Sequence, residues 1–102
     1  MKPAKKNKRT AERAHIFYTG RVQGVGFRYT AEKIAIELAL VGWVKNLPDQ
    51  RVELVCEGAK EVIEELLEQI KESHLGPHIR RVECAWEKAT GEFRDFRVEF
   101  YY

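Results

Sequence analysis

Two periodicities divide the chain. Residues 14–22 (AHIFYTGRV) alternate loosely between apolar and polar and are rich in β-forming types, which predicts a strand. Gly24 and Gly26 break the pattern. Over 28–41 the spacing changes: Ala31, Ile34, Ala35, Leu38 and Val41 form the stripe of a helix, which Gly42 then stops. Residues 43–47 (WVKNL) and 51–57 (RVELVCE) read as two strands around a turn at Pro48, Asp49 and Gln50, the pattern of a β-hairpin. Over 59–73, Val62, Ile63, Leu66, Leu67 and Ile70 line one helical face and five glutamates cover the other, a solvated face. Gly76-Pro77 end that helix, and residues 79–88 and 93–101 alternate again. The order is β-α-β-β-α-β plus one C-terminal strand. That is the split βαβ plan, with two helices on one face of an antiparallel sheet of four to five strands.

Composition adds bounds. With 102 residues and 44% apolar content, the chain has room for one core and is too apolar for disorder. No uncharged run approaches the ~20 residues of a membrane span, so no membrane partner is expected. A net charge of +2 points faintly to nucleic acid until its distribution is read. Residues 1–13 hold six bases and one acid, while the remainder holds 12 bases and 15 acids. The expected organisation is a basic, disordered tail over 1–13 and a mildly acidic domain over 14–102. A nucleic-acid or membrane-surface arm is the alternative for the tail, which lacks the apolar core of a secretory signal. Cys56 and Cys84 belong to no ligand cluster; buried thiols in a reducing, cytoplasmic setting are expected, with a disulfide as the alternative. Gly76 and Pro77 separate His74 from His78, so no helix presents both to a metal.

The chemistry concentrates in Gly20–Arg28, GRVQGVGFR, between the first strand and the first helix. Glycines let backbone N–H groups converge on an anion, and a helix start adds unpaired N–H groups and partial positive charge. Arg28 falls in the first helical turn, where its fork can grip two phosphate oxygens. The segment lacks the Lys-Ser/Thr of a Walker loop and the spacing of the dinucleotide fingerprint. From chemistry alone, a tight turn with a capping arginine stays open.

Together with GWVKN at 42–46, this segment closely resembles the acylphosphatase family, and the resemblance runs from about residue 14 through NLPDQRVELVCEG at 46–58, Gly76-Pro77 and FRVEFYY at 96–102. It implies a ferredoxin-like α+β sandwich, βαββαβ. It also implies hydrolysis of the carboxyl-phosphate bond of acyl phosphates to carboxylate and inorganic phosphate, with no metal or other cofactor. By the same resemblance Arg28 binds the phosphate and Asn46 positions the attacking water. The backbone N–H groups of Val22, Gln23, Gly24, Val25, Gly26, Phe27 and Arg28 form the phosphate cradle. Ala39 and Gln50 stand where many members carry glycine, and Leu47 where some carry a polar residue.

Such a site would suffice. The carboxylate leaving group has a conjugate-acid pKa near ~4, so no strong general acid is needed. Donors around the phosphoryl oxygens stabilise the charge. An asparagine amide cannot take a proton at neutral pH, which leaves the substrate phosphate as the acceptor. Tyr18, Phe27 and Trp43 are expected in the core, and Lys45 and Arg21 at the surface.

Two rivals accompany this reading. One is a non-catalytic phosphate-binding module like the acylphosphatase-like part of larger maturation proteins; a chain that closes just after the domain favours a standalone enzyme. The other is an RNA-binding module, suggested by element order and the tail, but the RRM stacking motif is missing. The expected partners are a small acyl phosphate and inorganic phosphate, as product and competitive inhibitor. Nucleic acid is not expected to bind, and the chain is expected to be a monomer.

Overall fold

The computed structural model describes residues 11–100; the tail expectation for 1–10 and the end of the closing strand lie outside them. The elements are β1 (Glu12–Gly20), α1 (Phe27–Glu37), β2 (Val41–Asn46), β3 (Val52–Gly58), α2 (Lys60–Glu72), a 3-10 turn (Gly76–His78), β4 (Ile79–Lys88) and β5 (Phe96–Glu99). One sheet has the order β4-β1-β3-β2-β5. Helix α1 packs over β2 and β5, and α2 over β3, which gives the expected ferredoxin-like α+β sandwich. The core between the layers is built from the inward faces of the strands, with Ala14, Ile16, Tyr18, Val44, Val52 and Leu54 all buried. Ile63, Leu66 and Ile70 supply the inward stripe of α2. No helix among the described residues is long and apolar enough to cross a membrane.

Three local expectations change. First, Glu12 and Arg13 belong to β1 rather than to a tail, because Arg13 faces the open side of the sheet, 3.4 Å from Glu57 and 3.6 Å from Glu87. Second, α1 ends at Glu37, before Val41 and Gly42. The Ala39 N–H donates to the Ile36 carbonyl and the Leu40 N–H to the Ala35 carbonyl, a Schellman closure with buried Leu40 over Ala35. Gly42 instead lies inside β2, where a Cβ would collide with the Val55 carbonyl oxygen.

Third, the sheet is not wholly antiparallel: β5 pairs parallel with β2, Val44 opposite Val98. The chain leaves β4 at one edge and crosses to the far edge, where β5 adds beside β2, a strand that already runs in the return direction. Glu57, on the open face of central β3, holds this crossing. Its carboxylate accepts the N–H of Thr90 at 2.9 Å, the Thr90 hydroxyl at 3.0 Å and the N–H of Gly91 at 3.0 Å. Burial pushes the Glu57 pKa up, but those donors and Arg13 outweigh it and hold the group below the ordinary glutamate value. A depressed folded-state pKa stabilises the fold above the ordinary carboxylate range, and that stability is lost as the pH falls through the folded value. Glu57→Gln should therefore lose about 1–3 kcal/mol in urea unfolding at neutral pH. Its deficit against the wild type should shrink in acid.

Ala39 and Gln50 both adopt left-handed backbone, φ 59° and 80°. Gln50 closes the hairpin turn, donating to the Leu47 carbonyl at 3.2 Å. A Cβ in that region is strained, and glycine relieves it at some cost in chain entropy. Ala39→Gly and Gln50→Gly should each raise stability by about 0.5–1 kcal/mol, additively, in denaturant midpoints.

Candidate active site

Strands β1 and β2 flank β3 and run the same way, so their C-terminal ends meet at one edge of the sheet. Tyr18 pairs with Val52, and Val52 with Asn46, in one row there. Asn46 alternates with buried Val44, which puts its side chain on the helix side. Val22–Gly26 spans from β1 to α1 above this row. Gly24 and Gly26 take φ 81° and 78°, and Gly26 is the N-cap of α1, with no side chain in the way. No hydrogen bond among the described residues engages the N–H groups of Val22 through Gly26. The first-turn N–H groups of α1 have no carbonyl one turn earlier in the helix to accept them.

The result is a cavity of about 280 Å³ walled by Val22, Gly24, Gly26, Phe27, Arg28, Tyr29 and Asn46. It brings together Arg28 and Asn46, 18 positions apart in sequence. Arg28 is braced from the C-terminal side: its Nη1 donates to the Glu99 carbonyl at 3.4 Å, and its guanidinium stacks 4.9 Å from the Phe100 ring centre. This bracing depends on the parallel pairing of β5, which delivers Glu99 opposite Lys45. The Asn46 Oδ1 is buried with no hydrogen-bond partner among the described residues. A buried, unpaired acceptor costs about 1–3 kcal/mol, and this one stands on the cavity wall.

Two residues expected in the cradle do something else with their side chains. Gln23 turns away from the cavity and donates to the Leu47 carbonyl at 2.8 Å and the Arg51 carbonyl at 2.9 Å, bracing loop to hairpin. Val25 packs against the core, and its carbonyl lies 3.3 Å from the His74 Nε2. Tyr29, which the sequence reading passed over, lines the mouth and is more than half exposed; its only sequence signal was its place after Arg28. Arg21 is exposed and outside the cavity.

No carboxylate or imidazole lines the cavity. Burial also quiets two other potential nucleophiles of the fold. Burial pushes the Cys56 thiol up to about 12, and burial raises the Tyr18 hydroxyl further still. Cys56 and Cys84 are both free, Cys56 fully buried and Cys84 partly. Phe27 is 2% exposed and packs 4.7 Å from the Tyr18 ring, so it cannot stack a base. Trp43 is not a core residue as expected: it lies half-buried on the open face, under the Lys45 ammonium at 4.9 Å. A larger groove, about 520 Å³, opens between α2 and β4, but its walls are mostly apolar and its charged groups, such as Glu64, Lys71 and Arg81, stand on α2 and β4 rather than on a glycine loop with free N–H groups. The small cavity is the one with convergent chemistry.

Comparison with known proteins places the fold in a family. The family model described as acylphosphatase matches residues 14–98. An acylphosphatase of Trichormus variabilis is 47% identical over 90 residues, which is 85% of each chain. The crystal structure of acylphosphatase from Bacillus subtilis superposes with a TM-score of 0.80 at 31% identity, covering 86% of this chain and 98% of that one. HypF of T. kodakarensis matches 86% of this chain with a TM-score of 0.74 at 37% identity, but only 12% of its own length.

Proposed function

Because the chain belongs to the acylphosphatase family and hydrolyses acyl phosphates, we propose that the Arg28–Asn46 cavity is where it does so. The observation that carries this is the buried, unpartnered Asn46 Oδ1 facing the same cavity as a guanidinium and a loop of free N–H groups. The phosphoryl oxygens sit in the loop N–H groups and against Arg28, whose fork matches two of them. Charge that develops on those oxygens is met by donors already in place. Asn46 Oδ1 accepts a hydrogen bond from the attacking water and aligns the water oxygen with phosphorus and the departing carboxylate. The O–P bond from water forms, the P–O bond to the acyl group breaks, and the carboxylate leaves as an anion. The water proton passes to a phosphoryl oxygen, since no carboxylate or imidazole lines the cavity. No metal is assigned a role.

Inorganic phosphate, the product, occupies the same donors and inhibits competitively. The free thiols suit a reducing, cytoplasmic setting, and the chain acts as a monomer. The test is hydrolysis of acetyl phosphate by the full chain in EDTA, across pH, with sedimentation at assay concentration. Metal-independent turnover without an essential enzyme base titrating near pH ~6–7 is expected. Phosphate binding without turnover would return the chain to a non-catalytic module.

A further inference from the structure

The stem of the same loop builds a second concave feature, away from the Arg28 cavity. The register between β1 and β4 shifts at Thr19/Gly20, and Gly20 pairs with Ile79. Having no Cβ, Gly20 lets the stem lie against the 3-10 turn, where a side chain would collide with the His78 carbonyl. The Arg21 N–H donates to that carbonyl at 2.9 Å. The junction leaves a recess of about 270 Å³ lined by Arg21, Pro77, His78, Ile79 and Arg80.

Its lining holds cations and no carboxylate. Arg13, Arg51, Arg81 and Arg97 each approach a carboxylate within 3.6 Å. Arg21 and Arg80 make no side-chain hydrogen bond or ion pair with any described residue. No carboxylate lines the recess, although the chain beyond residue 13 has more acids than bases. Two unpaired guanidinium groups on residues lining one hollow repel one another, and an anion between them removes that repulsion. Arg21 and Arg80 both line the recess, Arg80 at its border with the larger groove, and a guanidinium fork matches two oxygens of a tetrahedral phosphate; His78 offers a ring nitrogen beside them. Pro77 and Ile79 offer an apolar wall for the carbon of an ester.

We propose that the Arg21–His78–Arg80 recess binds a phosphate group, as inorganic phosphate or as a phosphomonoester, independently of the Arg28 cavity. Its occupant lies one residue along the chain from Val22, a wall of that cavity.

The test is a titration of the ¹⁵N-labelled full chain with sodium phosphate at constant ionic strength, using sodium chloride as control. Amides of Gly20, Arg21, Ile79 and Arg80 should follow one saturation curve, and those of Gly24 through Arg28 another. Arg28→Ala should lose the second curve and keep the first. The paired variant Arg21→Ser, Arg80→Ser changes only exposed side chains, and should weaken the first curve by about tenfold or more while keeping the second. Phenyl phosphate distinguishes the sources: tighter saturation than with phosphate assigns the recess to a phosphomonoester, and equal or weaker saturation to free phosphate. The proposal is overturned if residues 78–81 respond only together with the Arg28 loop and fall silent in Arg28→Ala. It is also overturned if chloride gives the same shifts, or if the paired variant leaves the first curve unchanged.

Discussion

Arg28→Ala should lower kcat/KM for an acyl phosphate by about 10³-fold or more and abolish competitive inhibition by inorganic phosphate. Both losses follow from one placement. Arg28 supplies the full positive charge on the cavity wall, amid backbone dipoles and an asparagine. Only one of its five N–H donors is committed within the described residues, to the Glu99 carbonyl. The stacked Phe100 ring holds the guanidinium plane, so little ordering is left to do when phosphate arrives. Because ground state and transition state both carry phosphoryl charge, KM and kcat should both suffer. Arg28→Lys separates charge from shape: a point charge without the fork should recover only part of the activity. Retained phosphate inhibition in Arg28→Ala would place the phosphate elsewhere. A loss of folding, checked by the urea midpoint, would appear as a shift that the wild type and Arg28→Lys do not share.

The loop was legible in the sequence because it is contiguous. Three glycines between a strand and a helix, followed by arginine, state an anion cradle within nine residues. Asn46 was legible only through the resemblance, since Asn before Leu-Pro-Asp reads equally well as a turn residue. What could not be read depends on contacts between distant strands. That Glu99 and Phe100 brace Arg28 follows from β5 running parallel at the far edge, and alternation says nothing about direction or neighbour. Gln23 looked like a loop donor, but its amide meets two carbonyls more than 20 residues away. Glu57 stands on the polar side of an alternating strand, where nothing in the sequence sets it apart. The 89–95 crossing buries it, and only the crossing explains why a carboxylate is needed there. Ala39 and Gln50 were flagged correctly because a missing glycine leaves a trace even in one sequence, once the family pattern says where φ turns positive.

Asn46→Ala should cost about 10²–10³-fold in kcat yet leave phosphate inhibition essentially intact, the reverse partition from Arg28→Ala. The reason is that Asn46 carries no charge and its unpaired Oδ1 is an acceptor, which has nothing to offer an anionic phosphate but can hold a water proton. Removing it leaves the cradle N–H groups and Arg28 in place, so product still binds while the nucleophile loses its alignment. Stability should rise slightly or hold, because the variant deletes a buried acceptor with no partner among the described residues. Asn46→Asp sharpens the test. It keeps an acceptor at the same reach but sets a negative charge beside the phosphate, so it should weaken phosphate inhibition as well as turnover, which alanine does not. If Asn46→Ala instead lost inhibition and kept kcat, the side chain would be a phosphate ligand. Full activity in Asn46→Ala would remove it from the mechanism and leave water alignment to the loop amides alone.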